Sequence, residues 1–415
     1  MIGVAVGLGN VWRFPYMMGQ YGGSAFLVAY LFFVLVFAIP AVTAEWSLGR
    51  YTRHGPLGAM DRAFGPYGRW IGYVLVTTVL IANSYYIVIV GNVAYSAGFA
   101  VVKGFTAETI PQYAAGIGDG PLQAFIALLV IVAAVWVLIR GIAKGIEGIS
   151  KVFVPVFGII MITLIVMALR LPGATAALRE YLAPDFSLLT PTSLFAALGQ
   201  AFFSLSLGGT FYVIYGSYLK NDEKIPSAAV VTGAGDVGAA LLASLFIVPT
   251  VLALGLDMQA GPQLIFETLP RMFSEIPAGR FIGTAFLGGL WMMAFLSTVA
   301  AFQVIVAALT DSFSFSLTKA ALIVGGVEAV LMLPSALYPS IIGTLDLIFG
   351  SGMQMLGSAL AIVGLFWGCG KAVAAAEIFA GKTSTFRSVY LVWLRWAVPS
   401  TLAVVLVLTI ADSLR

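Results

Sequence analysis

The chain alternates between long apolar stretches and short polar segments. Eleven apolar stretches have about 20 residues or more, the length that an α-helix needs to cross a bilayer. They lie near Met1–Gln20, Ser24–Leu48, Trp70–Val101, Leu122–Ile139, Val152–Leu171, Leu194–Leu219, Ala228–Leu256, Phe281–Ala308, Ala320–Leu337, Ile341–Gly368 and Val389–Ile410. Because the polar segments between them are short, the pattern predicts one all-α transmembrane domain over residues 1–415.

Two of these stretches, the first and the sixth, are interrupted by glycine and polar residues. The first contains Gly3, Gly7, Gly9, Asn10 and Arg13, and the sixth contains the run 199–210. Gly and Ser also favour close helix packing, which would explain a single Gly-Gly pair. A pair of breaks, however, favours cavity-lining backbone, because unpaired backbone groups cannot face lipid. Breaks at corresponding positions of two five-helix halves are typical of transporters built from inverted repeats.

Composition supports a membrane protein and excludes several other classes. Of the 415 residues, 60% are hydrophobic and only 9% are charged. A soluble protein of this size could not bury that much apolar surface. The single cysteine and single histidine exclude a disulfide framework within the chain and a histidine-rich metal site. The net charge of +3 is small and spread over loops, so no nucleic-acid partner is expected.

The distribution of basic residues predicts the orientation of the chain. Loops that follow even-numbered stretches carry about twice as many Lys and Arg residues as the loops after odd-numbered stretches and the C-terminus together. The positive-inside rule therefore places the even-numbered loops in the cytoplasm and the C-terminus outside. We expect a multi-pass protein of the cell inner (plasma) membrane.

The first stretch is short on its N-terminal side. About nine residues precede Asn10, too few to complete a crossing of about 30 Å. We therefore expect that the cytoplasmic half of helix 1 is missing and that Met1 is an internal methionine, with a re-entrant N-terminus as the alternative. A chain without this half-helix is expected to leave its cavity open to the cytoplasm.

Several motifs together resemble the neurotransmitter:sodium symporter family, in its prokaryotic amino-acid transporter branch. They are VGLGNVWRFP at 6–15, GGSAF at 22–26, EWSLGR at 45–50, Tyr85-Tyr86, KGIE at 144–147 and QAFFSLSLG at 200–208. The resemblance implies the leucine-transporter fold: repeat one near 1–171, an inverted repeat two near 194–368, and an eleventh helix near 389–410. It implies sodium-driven amino-acid symport by alternating access, with no enzymatic activity and no organic cofactor.

The resemblance also implies a substrate site between the two breaks. The substrate carboxylate would meet the backbone near Leu8 and Gly9, the Tyr86 hydroxyl and a sodium ion. The amino group would meet carbonyls near Ala5 and Phe203 and the side chain of Ser206. Further contacts are expected from Ala82, Ser204, Gly209, Ser297 and, depending on the helix register, Ala301 or Phe302. No unpaired charge appears among these residues, so a neutral, apolar side chain is expected, since a buried charge would need a partner. The small Ala82 and Gly209 leave room for a bulky or aromatic one.

Two sodium sites follow from the same resemblance. The first would use the Ala5 carbonyl, Asn10 and Ser204. The second would use the carbonyls of Gly3 and Val6 with eighth-stretch positions Ala294, Ser297 and Thr298, of which Ser297 is a ligand in either register. These groups are all oxygen ligands, as a hard cation requires. The alternative for Ser297 and Thr298 is hydrogen bonding to their own helix backbone.

Four charged residues in the stretches are candidate functional groups, because charges in a bilayer are costly. Arg13 is expected to form an outer gate with Gln20 or Asp346, or else to extend to the membrane surface; in the family the acidic partner usually stands at the position of Phe349. Asp236 is expected to bind sodium or replace the chloride of chloride-dependent relatives, or to be solvated near a helix end. Glu45 is expected to bind backbone groups freed by the break.

Other functions remain open at this stage. A proton-coupled or sodium-independent transporter of the same fold is possible if Asp236 titrates, and so is a non-transporting amino-acid receptor. An intramembrane enzyme is disfavoured because neither His54 nor Cys369 has an evident catalytic partner. The sequence gives no oligomeric state.

Overall fold

The computed structural model describes residues 7–140, 148–256, 258, 265–379 and 385–413. Gly3, Ala5, Val6 and the 144–147 motif lie outside these residues. The regular secondary structure of the described chain is all helical, with no strand.

The N-terminal half begins with a π-helical turn, Gly9–Arg13, that runs directly into α1. The helices of this half are α1 (Phe14–Gln20), α2 (Gly23–Phe33), α3 (Ile39–Thr52), α4 (Pro56–Phe64), α5 (Gly68–Val102), α6 (Ile110–Ile117), α7 (Gly120–Ile139), α8 (Gly148–Ala168) and α9 (Ala174–Tyr181). A second π-helical turn, Val34–Ala38, joins α2 to α3 in one continuous helix.

The C-terminal half contains the second broken helix and the longest buried one. Its helices are α10 (Pro191–Ser204), α11 (Phe211–Ser217), α12 (Ile225–Ala253), α13 (Thr268–Glu275), α14 (Gly279–Phe313), α15 (Leu317–Leu331), α16 (Leu333–Leu337), α17 (Ile341–Leu345), α18 (Met353–Val363), α19 (Lys371–Phe379), α20 (Thr385–Val392) and α21 (Val398–Ser413). Three π-helical segments, Asp346–Gly352, Gly364–Gly368 and Trp393–Ala397, interrupt the last apolar stretches.

Nine helical segments of the described chain are long and apolar enough to cross a membrane. Each corresponds to one of the predicted stretches. The sixth predicted stretch has no counterpart because it is interrupted between Ser204 and Phe211, and the first has none because only its residues from Gly7 onward are described. The break in the sixth stretch is therefore confirmed, whereas the described part of the first stretch is helical from Leu8 to Gln20, so the break predicted there stays a prediction.

The break in the sixth stretch is a short irregular connection between α10 and α11. Ser206 and Gly209 both adopt positive φ, +53° and +71°, which ends the helix at Ser204. The Gly208 amide, which no helix satisfies, donates a 3.0 Å hydrogen bond to Oε1 of the fully buried Glu45. The predicted role of Glu45 is confirmed: its carboxylate on α3 holds backbone that the break leaves unpaired.

The centre of the bundle is formed by α5 and α14, which make the most extensive helix contact in the described chain. Most side chains of α14 are buried, whereas α7, α8 and α20 present large apolar side chains outward, such as Trp136, Ile159 and Val389. This arrangement places α5 and α14 against both breaks, with apolar residues at the periphery where lipid chains would lie.

Candidate functional site

One cavity lies between the two breaks and the central helices α5 and α14. Its lining comes from the first break, α5, the α10–α11 connection and α14, with Gln354 from α18. The lining residues are Gly7, Leu8, Gly9, Leu75, Thr78, Val79, Ala82, Asn83, Tyr85, Tyr86, Phe203, Ser204, Ser206, Leu207, Gly208, Thr210, Phe211, Ser297, Ala301 and Gln354. None of these residues is Asp, Glu, Lys, Arg or His. The structure therefore brings together most of the predicted substrate residues that it describes.

Tyr86 connects the first break to α14. Its hydroxyl hydrogen-bonds with the Ser297 side chain and with the backbone of Leu8. A Cβ atom on Gly7 would lie 2.7 Å from the Ser297 Oγ and 3.4 Å from the Tyr86 hydroxyl. A side chain at Gly7 would displace the Ser297 hydroxyl, so glycine here allows the chain to approach both hydroxyls closely. This brings backbone, a phenol and an alcohol together at one end of the cavity.

A cluster of buried oxygen atoms lies beside the cavity. Asn10 Nδ2 donates to Ser204 Oγ at 2.9 Å and to Asp236 Oδ1 at 2.6 Å. The Ser204 hydroxyl also donates to Asp236 Oδ1 at 2.9 Å, and the Tyr30 hydroxyl donates to Oδ2 at 3.2 Å. Asp236 is completely buried inside α12, so the alternative of a solvated residue near a helix end is wrong. A buried carboxylate held only by neutral donors favours a cation as a neighbour.

Arg13 lies against the ring of Phe203. Its guanidinium lies 4.4 Å from the Phe203 ring centroid, and Nη1 donates to Gln200 Oε1 at 2.8 Å. Its Nε is 3.9 Å from Asp346 Oδ2. The residue is 8% exposed, so it does not extend to the membrane surface. Of its two predicted partners, Asp346 is in ion-pair range and Gln20 is exposed.

Two residues of this cluster were not predicted as members. Gln200 connects Arg13 to the first break, because its Nε2 donates to the Gly9 carbonyl at 3.0 Å. The Tyr85 hydroxyl donates to Asp346 Oδ1 at 3.2 Å. Both residues lie in the family motifs, at 85–86 and 200–208, but the motifs do not indicate which residues these side chains contact.

The α14 residues separate into two faces. Ser297 and Ala301, one turn apart, line the cavity. Thr298 and Ala294 are fully buried beside them, and Thr298 Oγ1 has no hydrogen-bond partner among the described residues. Ser297 Oγ is 3.4 Å from the Met293 carbonyl, so backbone bonding within the helix is weak there.

Two predicted pocket positions lie elsewhere. Phe302 is fully buried between helices and does not line the cavity, because consecutive helix residues are turned by about 100°. Gly209 faces α18 rather than the cavity: a Cβ atom on it would lie 2.6 Å from the Gly357 carbonyl oxygen. The α10–α11 connection therefore uses this glycine for close packing.

Comparison with known proteins agrees with this geometry. The profile of the sodium:neurotransmitter symporter family matches residues 1–109 and 100–413. The chain belongs to this family. It is 30% identical over 433 residues to an uncharacterized sodium-dependent transporter of Haemophilus influenzae, covering 98% of this chain and 94% of that protein. It is 34% identical over 311 residues to the sodium-dependent transporter YhdH of Bacillus subtilis, covering 74% and 69% of the two chains.

The fold also matches a solved member of this symporter family. The crystal structure of MhsT in complex with L-phenylalanine superposes with a TM-score of 0.90 at 32% identity, covering 98% of this chain and 96% of MhsT. The predicted leucine-transporter fold and the family resemblance are confirmed. The symporter is thus a multi-pass membrane protein of a sodium-dependent transporter family.

Proposed function

We propose that this symporter imports a neutral, apolar amino acid together with sodium, by alternating access across the cell membrane. The observation that carries the proposal is the cavity between the breaks: it has no charged side chain in its lining and it adjoins a buried cluster of oxygen atoms. Such a site offers an apolar space for a side chain and polar groups for an α-amino-acid backbone.

The substrate carboxylate is assigned to the end of the cavity that Tyr86 closes. Backbone near Leu8 and Gly9 and the Tyr86 hydroxyl meet there. The Ser206 side chain and the carbonyl of Phe203, together with Ala5, would receive the amino group, since carbonyls at the end of a broken helix favour a cation. The Phe203 carbonyl accepts from the Ser206 amide at 2.9 Å and has a second lone pair for this contact. Ser204 and Ser297 complete the polar end.

Sodium is assigned to two sets of oxygen ligands. The first would comprise Ser204, Asp236, the Ala5 carbonyl and the side-chain oxygen of Asn10, which accepts from the Gly7 amide at 2.9 Å in this structure. A bound cation there would also neutralise the buried carboxylate. Ser297, Thr298 and the Ala294 carbonyl would form the second, with Gly3 and Val6. The Thr298 hydroxyl is buried and has no hydrogen-bond partner in the described part of the chain, which fits a ligand position.

The outer gate is assigned to the Arg13 cluster. The guanidinium covers Phe203, which lines the cavity, and approaches Asp346 on the other side. Closure would bring this pair together above a bound substrate, and opening would separate it. The positive-inside pattern places this side, and the C-terminus, outside the cell.

The side-chain pocket is expected to accept a bulky or aromatic group. Ala82 and Ala301 are the small residues on facing helices, and Leu75 and Val79 supply apolar walls. MhsT was crystallised with L-phenylalanine, which agrees with this expectation.

Tyr86→Phe should weaken substrate binding by about 1–3 kcal/mol, the value of a hydrogen bond to a charged group. The ring and its packing stay, and the hydroxyl is lost together with its contacts to the carboxylate, Ser297 and the Leu8 backbone. Binding of radiolabelled phenylalanine in saturating sodium measures the effect. Tyr73→Phe on the same helix α5 is the matched control and should bind as the parent does. Equal affinities of the two variants would contradict the carboxylate assignment.

One uptake experiment separates sodium symport from two alternative functions. A non-transporting receptor would bind substrate without moving it, and a proton-coupled relative would transport it without sodium. Uptake into liposomes under separate sodium and proton gradients distinguishes both from sodium symport.

A further inference from the structure

A second buried acid lies in the membrane, away from the proposed sodium sites. Glu328 is on α15, within the span Leu317–Leu337, and its side chain is completely buried. Its Oε1 accepts a 2.9 Å hydrogen bond from Nδ2 of Asn83 on α5. A carboxylate at this depth is costly unless a charged partner or several hydrogen bonds compensate for it.

The pair of side chains lacks one hydrogen-bond donor. Glu328 Oε2 and Asn83 Oδ1 are both buried, and neither has a partner among the described residues. Both atoms are acceptors when the acid is ionised, so they cannot satisfy each other. A single proton on Oε2 makes it a donor, and the Asn83 oxygen is then the acceptor that it needs.

No cation in the described chain compensates for a charge on Glu328. Of the helices packed against α15, neither α7 nor α16 carries an ionisable side chain. Besides Glu328, the ionisable residues of α5, α14 and α15 are Arg69, Tyr73, Tyr85, Tyr86, Tyr95, Arg280, Asp311 and Lys319, and none of them hydrogen-bonds or ion-pairs with Glu328. A metal ion would require several ligands, and within the described part of the chain no group of three or more His, Cys, Asp or Glu side chains could hold one.

The pair adjoins the substrate cavity. Asn83 lines that cavity, and it lies between Ala82 and the Tyr85-Tyr86 pair on α5. A change in the protonation of Glu328 would alter the hydrogen bonding of a residue in the cavity wall. Substrate binding in the cavity and proton binding at Glu328 are therefore linked, and each changes the affinity of the other.

We propose that Glu328 and Asn83 form a proton-binding site, in which Glu328 is protonated at neutral pH and shares its proton with the Asn83 amide oxygen. The reaction is the addition of one proton from bulk water to a carboxylate, which gives the neutral acid. Loss of that proton leaves a buried charge and disturbs α5 at the cavity, so it weakens substrate binding.

Infrared spectroscopy of the purified symporter tests protonation without any substrate. We expect the carbonyl band of a protonated carboxyl at neutral pH. It should disappear in Glu328→Gln, which preserves the shape and can still form a reciprocal amide pair with Asn83. It should shift in frequency in Asn83→Leu. A band that is the same in parent and Glu328→Gln would show that Glu328 is ionised and would overturn the proposal.

The link to the cavity rests on the proposed function and is measured separately. Sodium-dependent phenylalanine binding by the parent should weaken by about fivefold or more at a pH that deprotonates Glu328, as judged by loss of the infrared band. Glu328→Gln should retain the affinity of the neutral parent and remove this pH dependence. An identical pH profile in both proteins would contradict the link while leaving sodium symport intact. Absence of sodium-dependent binding in every variant would instead contradict the proposed function.

Discussion

Replacement of Asn10 by leucine is expected to abolish sodium-dependent substrate binding. The Asn10 side chain bridges three elements, since its amide donates to Ser204 and Asp236 and its oxygen accepts from the Gly7 amide at 2.9 Å. Leucine has a similar size but supplies no oxygen, so the proposed first sodium site loses a ligand and the first break loses its local hydrogen bond. Sodium bound there contacts the carboxylate in our assignment, and substrate affinity falls with it.

The measurement is a sodium titration of radiolabelled phenylalanine binding. Ser204→Ala removes one hydroxyl from the same cluster and should raise the sodium concentration needed for half-maximal phenylalanine binding. This variant gives a graded effect if Asn10→Leu proves unstable. Asn221→Leu, at an exposed loop position, is the control and should titrate as the parent does. Parent-like sodium dependence in both Asn10→Leu and Ser204→Ala would contradict the assignment of this cluster.

Gly209→Ala is expected to lower stability and remove substrate binding together. The residue adopts a φ of +71°, which costs an alanine about 1–2 kcal/mol. Its Cβ would also lie 2.6 Å from the Gly357 carbonyl oxygen, and overpacking of this kind costs about 1–3 kcal/mol more. Relief of the contact requires movement of the α10–α11 connection, whose neighbours Gly208 and Thr210 line the cavity.

The stability effect is read from the thermal unfolding midpoint in detergent. Gly238→Ala on α12 is the matched control, because a Cβ there meets nothing within 4 Å and φ is helical. It should unfold at or slightly above the parent midpoint, since alanine favours helix. If Gly209→Ala changes neither the unfolding midpoint nor the phenylalanine affinity, the connection tolerates the side chain and is less tightly packed than the structure indicates.

Local composition predicted the features that a bilayer makes expensive. Glycine and polar residues in an apolar stretch indicated both breaks, and a charge in such a stretch drew attention to Arg13, Asp236 and Glu45. These inferences need no knowledge of distant contacts, because the cost of an unpaired charge or amide in lipid is local. Within the described residues, the structure shows the break in the sixth stretch and brings the buried Arg13, Asp236 and Glu45 into contact with polar partners.

Contacts between distant residues could not be predicted in the same way. Asn83 and Glu328 are 245 residues apart, and nothing in either stretch indicates that they meet. The choice between Ala301 and Phe302 depended on the rotation of α14, which a continuous apolar helix does not reveal. Gly209 looked like a pocket residue because its small size fits a cavity wall and a close helix contact equally well.

Uptake by proteoliposomes tests the central claim most directly. Vesicles carrying the symporter and an inward sodium gradient should accumulate radiolabelled phenylalanine, and leucine, methionine or tryptophan should compete better than glutamate or lysine. Replacement of external sodium by potassium should abolish accumulation. Equal accumulation in sodium and potassium, or preferential competition by glutamate or lysine, would contradict sodium-coupled import of a neutral, apolar amino acid.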